Sequence, residues 1–122
     1  MIAKYGFPAN MRLHKTDEFS SVFNFRCSLG GIYLQVLAKP NDLGNARLGI
    51  IVSRKISKRA VDRNYIKRAI REYFRLNQRE FDNLDVVVRV RKLFTSTTLT
   101  VIHRELAQHI SGLKKCRAFS SS

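Results

Sequence analysis

The stretch RNYIKRAIRE, Arg63 to Glu72, sets four full positive charges and an asparagine on helical spacing, against one acid. A solvated helix usually alternates acids and bases so that residues four apart attract each other, whereas this one mostly repels itself. With Ile66 at zero and about 100° per residue, Tyr65, Ala69, Tyr73, Ile70 and Phe74 fall within about 100° of it and form a buried face. Lys67, Arg71, Asn64, Arg75 and Arg68 fall at about 100°, 140°, 160°, 180° and 200°, a cationic stripe with one amide in it. Arg54, Lys55, Lys58 and Arg59 come just before, where a strand-to-helix loop brings them to the N-terminal end of the helix. From Arg47 to Arg75 there are ten bases and two acids, Asp62 and Glu72, so this segment holds eight of the fourteen net charges. Such a face suits a phosphate backbone, since arginine bonds phosphate oxygens in pairs and each neutralised phosphate releases counterions. Asn64 adds a hydrogen bond for a base edge or a sugar hydroxyl.

The other reactive side chains are dispersed. Metal-dependent phosphodiester cleavage by a protein needs several carboxylates converging on metal ions, and the nine acids are scattered. Asp82 and Asp85 flank a helix-to-strand turn, where capping and solubility account for them. His14, His103 and His109 are separated, the last two by six residues, which is off the three or four that share a helix face. Cys27 and Cys116 are too few for a zinc site or a disulfide framework and are expected to be reduced and incidental. No catalytic or metal-ligating residue is assigned, and any chemistry is expected of a partner.

Composition agrees. The chain has 122 residues, 44% of them apolar, which suits one domain with a core. Its 23 Lys and Arg against 9 Asp and Glu give +14, a self-repulsion that a polyanion would relieve. The longest apolar run, LGIIV from Leu48, is far short of the ~20 residues of a membrane span. The N-terminal MIAKYGFPAN lacks the apolar region of a signal peptide. A cytoplasmic protein with no membrane partner is expected.

The elements that position the basic stripe follow from periodicity. Thr16 is the expected N-cap of a first helix carrying Phe19, Val22 and Phe23. GGIYLQVLAKP from Gly30 and ARLGIIVSRK from Ala46 are β-rich and pair most simply as a hairpin, with Cys27 to Gly31 as a possible extra strand. A long helix runs from about Arg59 to Asn77. LDVVVRVRK then alternates, Val86, Val88 and Val90 facing one way and Val87, Arg89 and Arg91 the other. Leu99, Ile102, Leu106, Ile110 and Leu113 mark a closing helix with Gly112 near its end. The expected fold is a single-domain α+β sandwich over 1–122, in the order α, β, β, an optional β, α, β, α. About 1–10 is expected to be loosely ordered and about 114–122 to be a flexible basic, serine-rich tail.

Taken together, FPANMRL leading into DEFSSVF, then RLGIIVSRK, AVDRNYIKRAIRE and DVVVRVR resemble the protein subunit of bacterial ribonuclease P, over roughly Phe7 to Leu113. The third and fourth motifs, in that order and spacing, carry most of the resemblance. It implies a left-handed β-α-β crossover, opposite to the usual rule. It implies that the chain is the non-catalytic protein subunit of an endoribonuclease whose RNA subunit removes the 5′ leader of precursor tRNA. The RNA and substrate would hold Mg2+, and the protein would tighten precursor binding, lower the magnesium requirement and bind the RNA 1:1. In the family a signature helix contacts the RNA, which implies that role for Arg63, Asn64, Lys67, Arg68 and Arg71. Arg54, Lys55, Lys58, Arg59 and Arg75 extend that surface. Tyr65 stands where the signature has a second arginine. A cleft between first helix and sheet holds the leader, implying Arg12, Lys15, Phe19 and Phe23 on one side and Tyr33 and Arg89 on the other. Aromatics there would stack on unpaired bases. Gln35 stands where some members have an aromatic.

Three other readings compete. A ribosomal or ribosome-assembly protein would bind RNA without stimulating tRNA processing. A DNA-binding regulator lacks support, since no short helix and Gly turn precede the basic helix. A self-sufficient ribonuclease would cleave with no RNA added.

Overall fold

The computed structural model describes residues 12–41, 43–113 and 115–116. The elements are α1 (Thr16–Phe25), β1 (Cys27–Gly30), β2 (Leu34–Pro40), β3 (Arg47–Ile51), α2 (Ala60–Leu76), β4 (Leu84–Val90) and α3 (Leu99–Gly112). Short 3-10 turns at Gln78–Phe81 and Ser96–Thr98 lead into β4 and α3. The expected loose N-terminus and, apart from Lys115 and Cys116, the expected tail lie outside the described residues.

The sheet order is β1-β2-β4-β3, so the expected β2–β3 hairpin does not form. β4 lies between them, antiparallel to β2 and parallel to β3. The reason is in its sequence: LDVVVRV is buried at every position but Arg89, and a strand apolar on both faces belongs in the middle of a sheet. Parallel pairing of β3 with β4 needs a crossover, which α2 provides. The optional strand at Cys27 is real: β1 pairs antiparallel with β2, Cys27 opposite Ala38.

Alternation along the strands divides the core. Leu34, Val36, Val86, Val88 and Val90 pack with Ile66, Ile70 and Phe74 of α2 and Ile102 and Leu106 of α3. Leu37 and Val87 pack on the opposite face with Leu13, Val22, Phe19, Phe23 and Ile51. Thr16 is not the cap of α1. Lys15 holds that position, and Glu18 reaches back so that Oε1 accepts the backbone N–H groups of His14 at 2.7 Å and Lys15 at 3.0 Å, one half of a capping box.

The two cysteines, expected to be reduced and incidental, are paired in the structure. Cys27 and Cys116 are joined in a disulfide, with Cα atoms 5.7 Å apart across a sequence separation of 89. Distance along the chain was no guide, because the last turn of α3 lies on β1: a Cβ at Gly112 would sit 2.7 Å from Leu29 Cδ1. Among the described residues no helix is long and apolar enough to cross a membrane.

Candidate nucleic-acid interface

The helical wheel holds. Ile66, Ile70 and Phe74 are buried, and Tyr65, Ala69 and Tyr73 pack half-buried against the core. Asn64 and Arg68 are exposed on the far side, with Lys67 and Arg71 partly covered at its border. Where α2, β3 and the segment before α1 meet, Arg12, Lys67 and Arg71 line a groove of about 150 Å³ with Leu13, Phe19, Leu48, Gly49 and Ile50. The edge of β3 shapes it: Leu13 N–H donates to Leu48 O at 2.9 Å, laying the entering chain along that strand. Gly49 leaves room for the Phe19 ring, which a side chain there would strike. The Arg71 guanidinium is pushed below its ordinary pKa, first by burial and then by the positive charges of Arg12 and Arg68. Like charges gathered around a partly desolvated cation raise the free energy of the isolated protein, and an entering phosphate lowers it.

The loop before α2 is fixed to its first turn. Ser57 Oγ donates to Asp62 Oδ2 at 3.0 Å, and Arg63 Nη1 donates to Ser57 O at 2.9 Å. Arg63 therefore holds the loop that presents Arg54, Lys55, Lys58 and Arg59, all exposed. Arg75 is bonded to Glu72.

Arg47, the first base of the segment, does not belong to the free cationic face. Its Nε and Nη2 donate to Asp85 at 2.8 and 2.7 Å, and Nη1 donates to Glu18 Oε2 at 2.9 Å. The bonds to Asp85 foremost raise its pKa. Asp85, expected as a turn acid, is 5% exposed and also accepts from Asn41 Nδ2 at 2.8 Å. One acid inside an otherwise valine-rich strand was the signal for this pairing.

On the α1 side, the sheet continues past the helix as an open trough of about 560 Å³, lined by Gln35, Ile51, Ser53, Lys55, Ile56, Arg89, Val90 and Arg91. Gln35 lies opposite Arg89, and Ile51 flanks Arg89 on the other side. Of the expected leader residues, Arg12 and Phe19 line the groove and Arg89 lines the trough. Phe23 packs half-buried beside Val22 and Leu37, and Lys15 is exposed at the α1 cap.

Tyr33 lines neither concavity. It precedes β2, where the alternation of the strand does not reach it, and it packs against the α2–α3 core with Lys92 Nζ 5.4 Å from its ring centre. Its N–H is held by the buried carboxylate of Glu105, which also accepts from Leu34 N–H at 2.7 Å. Glu105 was missed, although it shares the buried stripe of α3 with Ile102 and Leu106.

The histidines do not converge. The His103 ring lies 5.2 Å from that of Tyr73, while His109 is buried with Nε2 3.7 Å from Glu105 and its pKa lowered chiefly by burial. Among the described residues no three of His, Cys, Asp and Glu gather where they could hold a metal ion.

Among the described residues, fold and surface define a small basic α+β protein whose sheet carries a cationic groove and a polar trough beside a helix of outward bases. Comparison with known proteins narrows this. The family model for ribonuclease P matches residues 7–114, and the chain belongs to the ribonuclease P protein family. It is 47% identical over 121 residues to the ribonuclease P protein component of Chromobacterium violaceum, covering 99% of this chain and 100% of that one. It is 44% identical to the counterpart from Methylococcus capsulatus, over 96% of this chain and 92% of the other. Among solved structures, the ribonuclease P protein of Staphylococcus aureus is similar with a TM-score of 0.74 and 31% identity, covering 87% of this chain and 96% of that one. That of Thermotoga maritima gives 0.69 and 30%, over 81% and 94%.

Proposed function

We propose that this chain is the RNA-binding, non-catalytic subunit of ribonuclease P, assisting a catalytic RNA in removing the 5′ leader of precursor tRNA. The observation that carries this reading is the gathering of Arg12, Lys67, Arg68 and Arg71 into a face where cation meets cation, in a chain of that family. The outward stripe, Asn64, Lys67, Arg68 and Arg71 with Arg54, Lys55, Lys58 and Arg59, docks on the RNA subunit. Arg63 and Arg75 shape that stripe through their own bonds. The single-stranded leader runs along the α1 side of the sheet, from Arg12 and Phe19 to Gln35 and Arg89. Lys15 adds charge at the entrance, and Phe23 supports Phe19 from the core. Tyr33 stands outside this path.

Mg2+ belongs to the RNA and its substrate, and cations on this chain screen the repulsion between the two RNAs, which lowers the magnesium needed. The subunit acts 1:1 with the RNA, in the cytoplasm. The test is cleavage of a long-leader precursor tRNA by a bacterial ribonuclease P RNA transcript at low magnesium, with and without this protein, beside a protein-only control. Restored cleavage at the mature 5′ end, with none from the protein alone, is the expected result. RNA binding with no gain in cleavage would point to a ribosomal role, and cleavage by the protein alone would overturn the non-catalytic assignment.

A further inference from the structure

The disulfide lies at the edge of the sheet farthest from the cationic groove. Cys27 opens β1, an edge strand paired only with β2. Cys116 follows α3 and is fully buried, as Cys27 nearly is. The two elements it joins already meet through Gly112 and Leu29. The bond therefore joins two elements that packing already brings together.

Beyond the end of α3, Cys116 is tied locally by its N–H to Leu113 O at 2.9 Å. Both cysteines belong to the core with Leu113, so a reagent reaches the pair when the turn after α3 opens locally. Disulfides are rare in reducing compartments, where those that form are usually transient, and nothing in the RNA-binding role uses this one.

We propose that Cys27 and Cys116 are a reversible oxidation site, a clasp that closes when a low-molecular-weight disulfide such as glutathione disulfide accumulates and opens when its thiol form prevails. One cysteine thiolate attacks the small disulfide, forming a mixed disulfide and releasing one small thiolate. The second cysteine thiolate then attacks the protein-side sulfur, closing the ring and releasing the other. Two electrons pass from the protein to the small disulfide, and the two cysteine protons leave to solvent or to the departing thiolates. The closed clasp joins the two ends of a long loop and so restricts the unfolded chain. It steadies the β1–α3 corner and leaves the α2 stripe as it was.

The experiment takes the full chain, purified under an alkylating quench from cytoplasmic expression, and equilibrates it across ratios of reduced to oxidised glutathione. Mass spectrometry, melting and amide exchange are the readouts. The expected result is reduced thiols at isolation and, on oxidation, an intramolecular bond with a melting midpoint higher by about 10 °C. Slowed exchange should be confined to β1 and α3, and reduced glutathione should reverse every change. The double variant Cys27→Ser with Cys116→Ser should melt like the reduced protein and ignore the ratio. Stable glutathione adducts, bonds only between chains, or a midpoint indifferent to oxidation would overturn the proposal. So would a bond already present at isolation that reduced glutathione cannot open. None of these readouts depends on the ribonuclease P role.

Discussion

Arg47 and Arg71 are both partly covered arginines on neighbouring elements, and the protein treats them in opposite ways. Arg47 meets two carboxylates, donates three hydrogen bonds and has its pKa raised. Arg71 meets the charges of Arg12 and Arg68, and its pKa is lowered. The first arrangement is complete within the chain, tying β3 to β4 and to the first turn of α1. The second gathers like charges at one groove, and under the proposed function RNA phosphates offset them. Charge count alone merges the two cases; the neighbours of each guanidinium separate them.

The largest effect should come from breaking the complete one. Asp85→Ala leaves Arg47 partly buried with Glu18 as its remaining carboxylate, and removing one partner of a buried pair costs about 3 kcal/mol. Urea denaturation should show that loss, while the affinity of the folded fraction for the RNA subunit stays within about twofold.

The opposite pattern is expected on α2. Lys67→Ala with Arg68→Ala should abolish high-affinity binding, weakening it by roughly 30-fold or more and lowering the slope of log affinity against log salt by about 2. The far-ultraviolet circular dichroism should be unchanged, because both side chains point away from Ile66, Ile70 and Phe74. Loss of the folded signal would break the comparison, since it would make the stripe part of the scaffold. Arg71→Gln is the smaller, sharper case. Removing a repelled, desolvated cation should leave urea stability within about 0.5 kcal/mol of the parent or slightly above it, while affinity falls.

The α2 stripe was legible because 3.6-residue periodicity decides it within one element. The alternation of β4 was likewise legible within one element, setting Val87 and Val88 on opposite faces, while which helix each face meets came from the structure. What required the structure was pairing between elements far apart in sequence. The position of β4 inside the sheet, Asp85 with Arg47, Glu105 with the Tyr33 and Leu34 amides, and Cys27 with Cys116 all depend on crossover topology, which local pattern does not encode. The packing of Tyr33 against the α2–α3 core was not legible for a local reason: it lies one residue before the strand whose alternation would have aimed it.

The smallest effect, and the one that tests the Arg47 network without deleting a buried group, is the acid response through Glu18. Its pKa is lowered first by the backbone N–H groups of Lys15 and His14, with Arg47 adding to the same direction. A carboxyl whose folded pKa is depressed contributes stability that is present above its ordinary value of 4.5 and is lost as pH falls through the folded value. Glu18→Gln should therefore lower stability modestly at neutral pH and flatten the fall below about pH 4.5. Denaturant midpoints measured from pH 7 to pH 3 for both proteins would show it. Curves that stay parallel across that range would mean that Glu18 is solvated in solution, leaving Asp85 to neutralise Arg47 and narrowing the contrast with Arg71 to a single ion pair.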